Sequence, residues 1–315
     1  MITKEEIVAA RERIRSSVHE TPYLQSARLG QAVGGIRLGF KCESFQRTGS
    51  FKARGALNAM MQLSAAEKKR GVVTVSAGNH AQALAWAAKS VGSECIAVMP
   101  EGASQTKVRA AEGYGGTVEL VGGEKKRAFE RAEQIASEGR VMVHPFEDPR
   151  VAAGQGTVAL ELLEQANDLS GVLVPIGGGG LIAGIAVAIK SANPRIRVIG
   201  VEPEGAATMR ASLDAGSPQS ISPKTIADGL AAPMVGAMTL EATRRYVDDV
   251  VLVTDADILT ALRDLMTYAK LVVEPGGAAG LAALQSGKVA FKRGEQVAVI
   301  ISGGNIDLER LKSLL

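Results

Sequence analysis

Short apolar runs rich in Val and Ile alternate with helical patterns along almost the whole chain, and this alternation restricts the fold more than any other feature. Strand patterns cover 36–42, 71–76, 94–100, 117–122, 140–145, 171–176, 196–201, 250–255 and 296–301. Helical patterns lie between many of them, as at 80–91, 124–138, 180–191 and 256–269. Strands that are apolar on both faces, each followed by a helix, predict an α/β chain of open, twisted, mostly parallel sheets covered by helices. Four strand patterns fall within 71–146, which reads as a smaller α/β domain inserted between 1–70 and 147–315, the two parts of a larger one.

Composition excludes several classes. Hydrophobic residues make up 46% and charged residues 22%, as in ordinary soluble proteins. A net charge of +3 and an aromatic content of 3% speak against a nucleic-acid surface. Two cysteines, Cys42 and Cys95, form no metal-ligand spacing. The charged N-terminus lacks an apolar signal core, so the expected location is the cytoplasm. The stretch 169–189 carries no charge and is long enough to span a bilayer, but Pro175 and the glycines at 177–180 interrupt it. It reads instead as a buried strand feeding a buried helix, and no membrane partner is expected.

In open α/β sheets, ligands bind beyond the carboxyl ends of strands. Three strand exits carry unusual chemistry: SAGNHAQALA from Ser76, GGGGLIAG from Gly177 and SGGNID from Ser302. A fourth segment, FQRTGSFKARGA, places Lys52 in a Ser/Thr/Gly-rich turn leading into a helix. Backbone amides at a Gly-rich helix start hold phosphate well; the bland alternative is a flexible connection. Gly178, Gly180 and Ala183, with Glu202 further on, also fit the dinucleotide fingerprint G-x-G-x-x-A. That pattern is degenerate where four glycines adjoin, and it leaves the other three segments without a role. A lysine is ordinarily a solvated surface residue; beside Phe51 in a tight turn it is open to desolvation, which favours a nucleophilic amine.

Taken together, FQRTGSFKARGA, SAGNHAQALA, GGGGLIAG, VEPGGAAG and SGGNID, with HPFEDP and AGQGT, resemble the fold-type II pyridoxal-phosphate enzymes. Within them the match is to the threonine/serine dehydratase and serine racemase group, from about Thr21 onward. The resemblance implies two α/β domains of the tryptophan synthase β type, in a homodimer, with pyridoxal 5'-phosphate between the domains. It implies that Lys52 holds the cofactor as a Schiff base, with Phe51 near the ring, Asn79 at the ring oxygen and Glu274 on the large-domain side. Gly177, Gly178, Gly179, Gly180 and Leu181 would supply phosphate amides, and Ser302 would face the pyridine nitrogen. Ser76, Asn79 and His80 would surround the substrate carboxylate. A neutral Ser302 would favour prompt β-elimination over transamination.

Some positions depart from the group. Racemisation there needs a second base directly after the position of Ser76, and this chain has Ala77. Some members hold a divalent cation through a Glu, a backbone carbonyl and an Asp; here Glu202 and Ala206 are present, but Thr208 replaces the acid, and no metal is expected. The sequence ends soon after Asn305, so the regulatory domain of biosynthetic threonine dehydratases is not expected. The motifs leave threonine, serine and 3-hydroxyaspartate open as substrates, with serine racemase and a non-catalytic cofactor-binding homologue as alternatives.

Overall fold

The computed structural model describes residues 1–123 and 125–315. Ten strands form two sheets: β1 Tyr23–Gln25, β2 Arg37–Cys42, β3 Val72–Val75, β4 Cys95–Pro100, β5 Thr117–Val121, β6 Val141–Met142, β7 Leu169–Pro175, β8 Arg197–Pro203, β9 Asp249–Val253 and β10 Gln296–Ile301. The larger sheet runs β1-β2-β10-β7-β8-β9 and the smaller β5-β4-β3-β6. Every described pairing between these strands is parallel except β1 on β2.

All nine strand patterns form strands. The added strand, β1, is three residues long and half-exposed, so it carries no apolar pattern. The pattern at 140–145 pairs only over Val141–Met142. His144 Nδ1 accepts from the Phe146 and Glu147 amides and turns the chain there, and Pro145 has no N–H for a ladder. The stretch 169–189 is strand β7 followed by the helix Gly180–Ala192, and no described helix is long and apolar enough to cross a membrane. The helix expected over 124–138 spans Lys125–Ser137, and its expected first residue, Glu124, lies outside the described residues. The last expected helix runs Asp255–Asp264 and continues as a π-helical turn, Leu265–Ala269.

Helices cover both faces of the larger sheet. One core joins Val172, Val174 and Ile300 to Ile182, Ile185 and Leu162; the opposite core joins Leu173, Val299 and Ile301 to Ala279, Leu281 and Ile258. The helix Pro149–Gln165 lies tight against two neighbours. A Cβ on Gly154 would fall 2.6 Å from the Gly55 Cα, and one on Gly184 would fall 2.5 Å from the Gly156 nitrogen. The AGQGT segment is therefore a close-packing device. The helix Lys52–Met61 joins the two halves: its Leu57 and Met60 share a core with Val72 of β3 and with Leu84.

Strands β2, β10 and β7 are adjacent in the larger sheet. Their carboxyl ends lead to Lys52, Ser302 and the glycine run. The exit of β3 faces them from the smaller sheet through Asn79.

Candidate active site

The turn before Lys52 is held by the exit of β10. Ser50 bridges to Gly303, and the Phe51 amide donates to the Ser302 carbonyl at 3.0 Å. Lys52 is the first residue of its helix, and Nζ donates to the Pro145 carbonyl at 2.8 Å, 5.1 Å from the centroid of the Phe51 ring. Burial lowers the Lys52 ammonium to about 8, against the opposing pull of the Glu274 carboxylate. Two residues on, Arg54 anchors the segment from beneath. Its Nε and Nη2 meet both oxygens of Glu43 at 2.7 and 2.8 Å, and its Nη1 meets Glu161 at 2.5 Å. Lys41 joins Glu161 at 2.6 Å, so this buried cluster balances two cations against two carboxylates.

The glycine run lies between β7 and the helix Gly180–Ala192. Gly179 takes φ +91°, and no described side chain caps the helix, whose first amides stay open to an anion. The loop is fixed on both sides. Thr239 Oγ1 donates to the Gly178 carbonyl at 3.0 Å, and the Phe146 ring packs against Gly178. Leu181 has its side chain buried in the core, leaving its backbone for the site.

Glu202, the acid of the dinucleotide fingerprint, is engaged elsewhere. Its oxygens accept from the Met209 and Arg210 amides at 2.7 and 2.8 Å, holding the start of the helix Thr208–Ala215. Burial raises its carboxyl to about 7. Thr208 Oγ1 donates to the Ala232 carbonyl at 2.8 Å, and Ala206 lies in the turn between them.

On the facing side, the helix Asn79–Ser90 starts at Gly78 without a side-chain cap from the described residues. Ser76 Oγ accepts the Gly78 amide at 3.2 Å. Asn79 Nδ2 donates to Glu274 Oε1 at 2.8 Å, while its Oδ1 accepts from Asn305 Nδ2 at 2.8 Å. His80 is the second residue of this helix. Its imidazole is buried with Nε2 3.2 Å from the Val143 carbonyl, so its backbone amide, not its ring, lies at the helix start. Burial, then the nearby Lys52, pushes that imidazole well below the usual histidine range.

Glu274 is buried, and desolvation, then Asp228, raises its carboxyl to about 7. Ser302 is buried at the end of β10. Four residues near Lys52 had no individual role in the sequence reading. Pro145 receives the Lys52 amine, Phe146 supports the glycines, Asn305 holds Asn79, and His144 lies near enough for Lys52 to depress it. Burial is the larger cause of the His144 shift, to about 4. HPFEDP and SGGNID contained these residues, but which neighbour each one touches is not visible along the chain.

The family model described as pyridoxal-phosphate dependent enzyme matches residues 14–303. An L-threonine ammonia-lyase of Thermotoga maritima is 44% identical over 100% of this chain and 78% of its own length. A catabolic L-threonine dehydratase of Escherichia coli is 42% identical over 98% of this chain and 95% of its own. Maize serine racemase superposes with a TM-score of 0.95 at 40% identity, covering 99% of this chain and 96% of that one.

Proposed function

The chain belongs to the pyridoxal-phosphate dependent enzymes, and on that premise we propose that it is a dehydratase, or ammonia-lyase, acting on threonine or serine. It releases a 2-oxo acid and ammonia. The observation that carries this reading is that the desolvated Lys52 amine bonds the Pro145 carbonyl while the next residue, Phe146, packs on Gly178 and Gly180 at the uncapped helix start. That pair fits the cofactor's aldehyde and phosphate. Bound pyridoxal phosphate supplies a conjugated sink for the electrons of the substrate α-carbon.

The protein's own groups divide the remaining work. Lys52 would hold the cofactor and, as a free amine, would take the substrate α-proton; its lowered pKa keeps free amine available near neutrality. The amides of Gly177, Gly178, Gly179, Gly180 and Leu181 would hold the phosphate, and Phe146 packs against that loop at Gly178 and Gly180. Phe51, Ser302 and Glu274 would border the ring, and Asn79 would bond its oxygen. The substrate carboxylate takes Ser76 and the open amides of Asn79 and His80, with the helix dipole favouring the anion.

The similarity to maize serine racemase supports a second reading, racemisation. Ala77 weighs against it, because a methyl group carries no proton to the second face. We also propose that 71–146 forms the smaller domain, that the enzyme works as a homodimer, and that it resides in the cytoplasm.

The test is a panel of β-hydroxy amino acids with the purified protein, scoring 2-oxo acid release, alongside borohydride reduction and peptide mapping of Lys52. Release from threonine or serine with the label on Lys52 is expected. A label elsewhere, or no release from any member, overturns the assignment.

A further inference from the structure

An asparagine side chain presents N–H on one edge and C=O on the other, and the two edges have nearly the same shape. A ring oxygen carrying negative charge is stabilised by the N–H edge and repelled by the other. Something must therefore set which way the Asn79 amide points. Glu274 alone is a poor guide. An ionised carboxylate accepts from Nδ2, but a protonated carboxyl can donate to Oδ1, and Glu274 titrates near neutrality, at about 7.

Asn305 removes the ambiguity. Its Nδ2 lies 2.7 Å from the Thr48 carbonyl and 2.8 Å from Asn79 Oδ1. A backbone carbonyl only accepts, so the Asn305 atom facing Thr48 must be nitrogen. The second hydrogen on that nitrogen then points at Asn79, which must answer with oxygen. Asn79 Nδ2 is thereby forced to the opposite edge, where one hydrogen meets Glu274 Oε1 at 2.8 Å and the other remains for the cleft.

The turn that supplies the deciding carbonyl is itself unusual. Thr48 takes φ 58°, a left-handed conformation that a β-branched residue rarely adopts, and Gly49 follows at φ 72°. Gly49 lets Asn305 lie against the turn, since a Cβ there would fall 2.3 Å from Asn305 Oδ1. The Gly304 amide donates to the Gly49 carbonyl at 2.9 Å and locks the same contact from the backbone.

We propose that Asn305 is a positioning residue, relaying the polarity of the Thr48 carbonyl to Asn79 so that Asn79 presents N–H to the cofactor ring. This rests on the placement of the ring beside Asn79 proposed above. The relay keeps that presentation constant while Glu274 gains or loses its proton.

The test uses the holoenzyme, and the readout is the visible absorption of the Lys52-linked cofactor, titrated with pH. The variants are Asn305→Ala, Asn305→Ser, Asn79→Ala and Asn305→Ala with Asn79→Ala. Asn305→Ala frees the Asn79 amide to turn over, so the absorption should acquire a new dependence on pH. Cofactor binding should weaken roughly two- to tenfold, the range of one net hydrogen bond. In the Asn79→Ala background the same change should leave the titration unmoved, a non-additivity that a purely structural role does not produce. Asn305→Ser has one hydrogen and cannot serve both partners, so it carries the test should the alanine variant fail to fold. Parental titrations for both Asn305 variants, with Asn79→Ala shifted, overturn the relay. A full Asn305 effect without Asn79 overturns it as well. An unchanged spectrum in Asn79→Ala instead removes the ring contact on which the relay depends, while the Lys52 label decides the wider function separately.

Discussion

The Phe146 ring lies against Gly178 so closely that a Cβ built on the glycine would fall 2.1 Å from the ring Cδ1. The absence of a side chain at Gly178 thus admits the aromatic ring beside the uncapped helix start. The Thr239 hydroxyl on the Gly178 carbonyl prevents the loop from sliding away from the ring. Gly178→Ala must displace either Phe146 or the loop. Overpacking of this kind costs about 1–3 kcal/mol. Cofactor affinity should fall about five- to 150-fold, measured by titrating apoprotein with pyridoxal phosphate. Phe146→Ala in the same chain should recover part of the loss. Parental affinity in Gly178→Ala means that the loop holds no phosphate.

Cofactor capture should follow the Lys52 amine. With the ammonium lowered by burial to about 8, the reactive neutral form should saturate in mildly alkaline solution. The rate of reconstitution of the apoprotein should rise roughly tenfold from about pH 7 to about pH 9 and then level off. An ordinary lysine would give roughly a hundredfold rise over that interval with no plateau. A rate still climbing at higher pH would place Lys52 in water.

Glu274 should leave its mark on stability. Its folded-state carboxyl, at about 7, lies above the unfolded value near 4.3. The folded apoprotein therefore holds a proton that the unfolded chain has released, and stability falls as pH rises between those values. The loss amounts to a few kcal/mol at most. Lys52 contributes the opposite slope only above about 8. Glu274→Gln keeps an acceptor for Asn79 and cannot ionise, while Glu202, His80 and His144 titrate alike in both proteins, so the parent's urea midpoint should fall relative to the variant's from about pH 5 to about pH 7. Parallel declines in the two proteins would show that Glu274 is ionised throughout.

Ala77 should set the balance between elimination and racemisation. Its methyl packs against a small apolar cluster that includes Ala81 and Met99 and cannot donate a proton. Prolonged incubation with L-serine should accumulate pyruvate with little D-serine, read by chiral chromatography. Ala77→Ser should raise the racemisation share if its hydroxyl comes within roughly 2.6–3.2 Å of the α-carbon's proton path. Rapid racemisation by the parent would show that another group serves that face.

Local chemistry made much of this protein legible in one dimension. Alternating apolar runs specify parallel strands and helices because each element buries its own faces, and all nine patterns became strands. Glycine runs and Lys52 stood out because backbone freedom and a nucleophile in a tight turn are properties of single residues. β1 escaped because a half-exposed edge strand of three residues needs no pattern of its own. His80 was assigned by its motif, but whether its ring or its amide faces the cleft depends on Val143, which is supplied by another part of the chain.

Only the tertiary structure decided the partnerships. The order β2-β10-β7 places Lys52, Ser302 and the glycines side by side, although they are far apart in sequence. Arg54 meets Glu161 across more than a hundred residues, and Asn305 meets Asn79 across more than two hundred. Glu202 completes a dinucleotide fingerprint when read along the chain, yet in space it holds the start of a helix. A sequence records which groups are available. Which group is desolvated, paired or left open depends on neighbours that arrive only when the sheets close, and that determines the chemistry of Lys52.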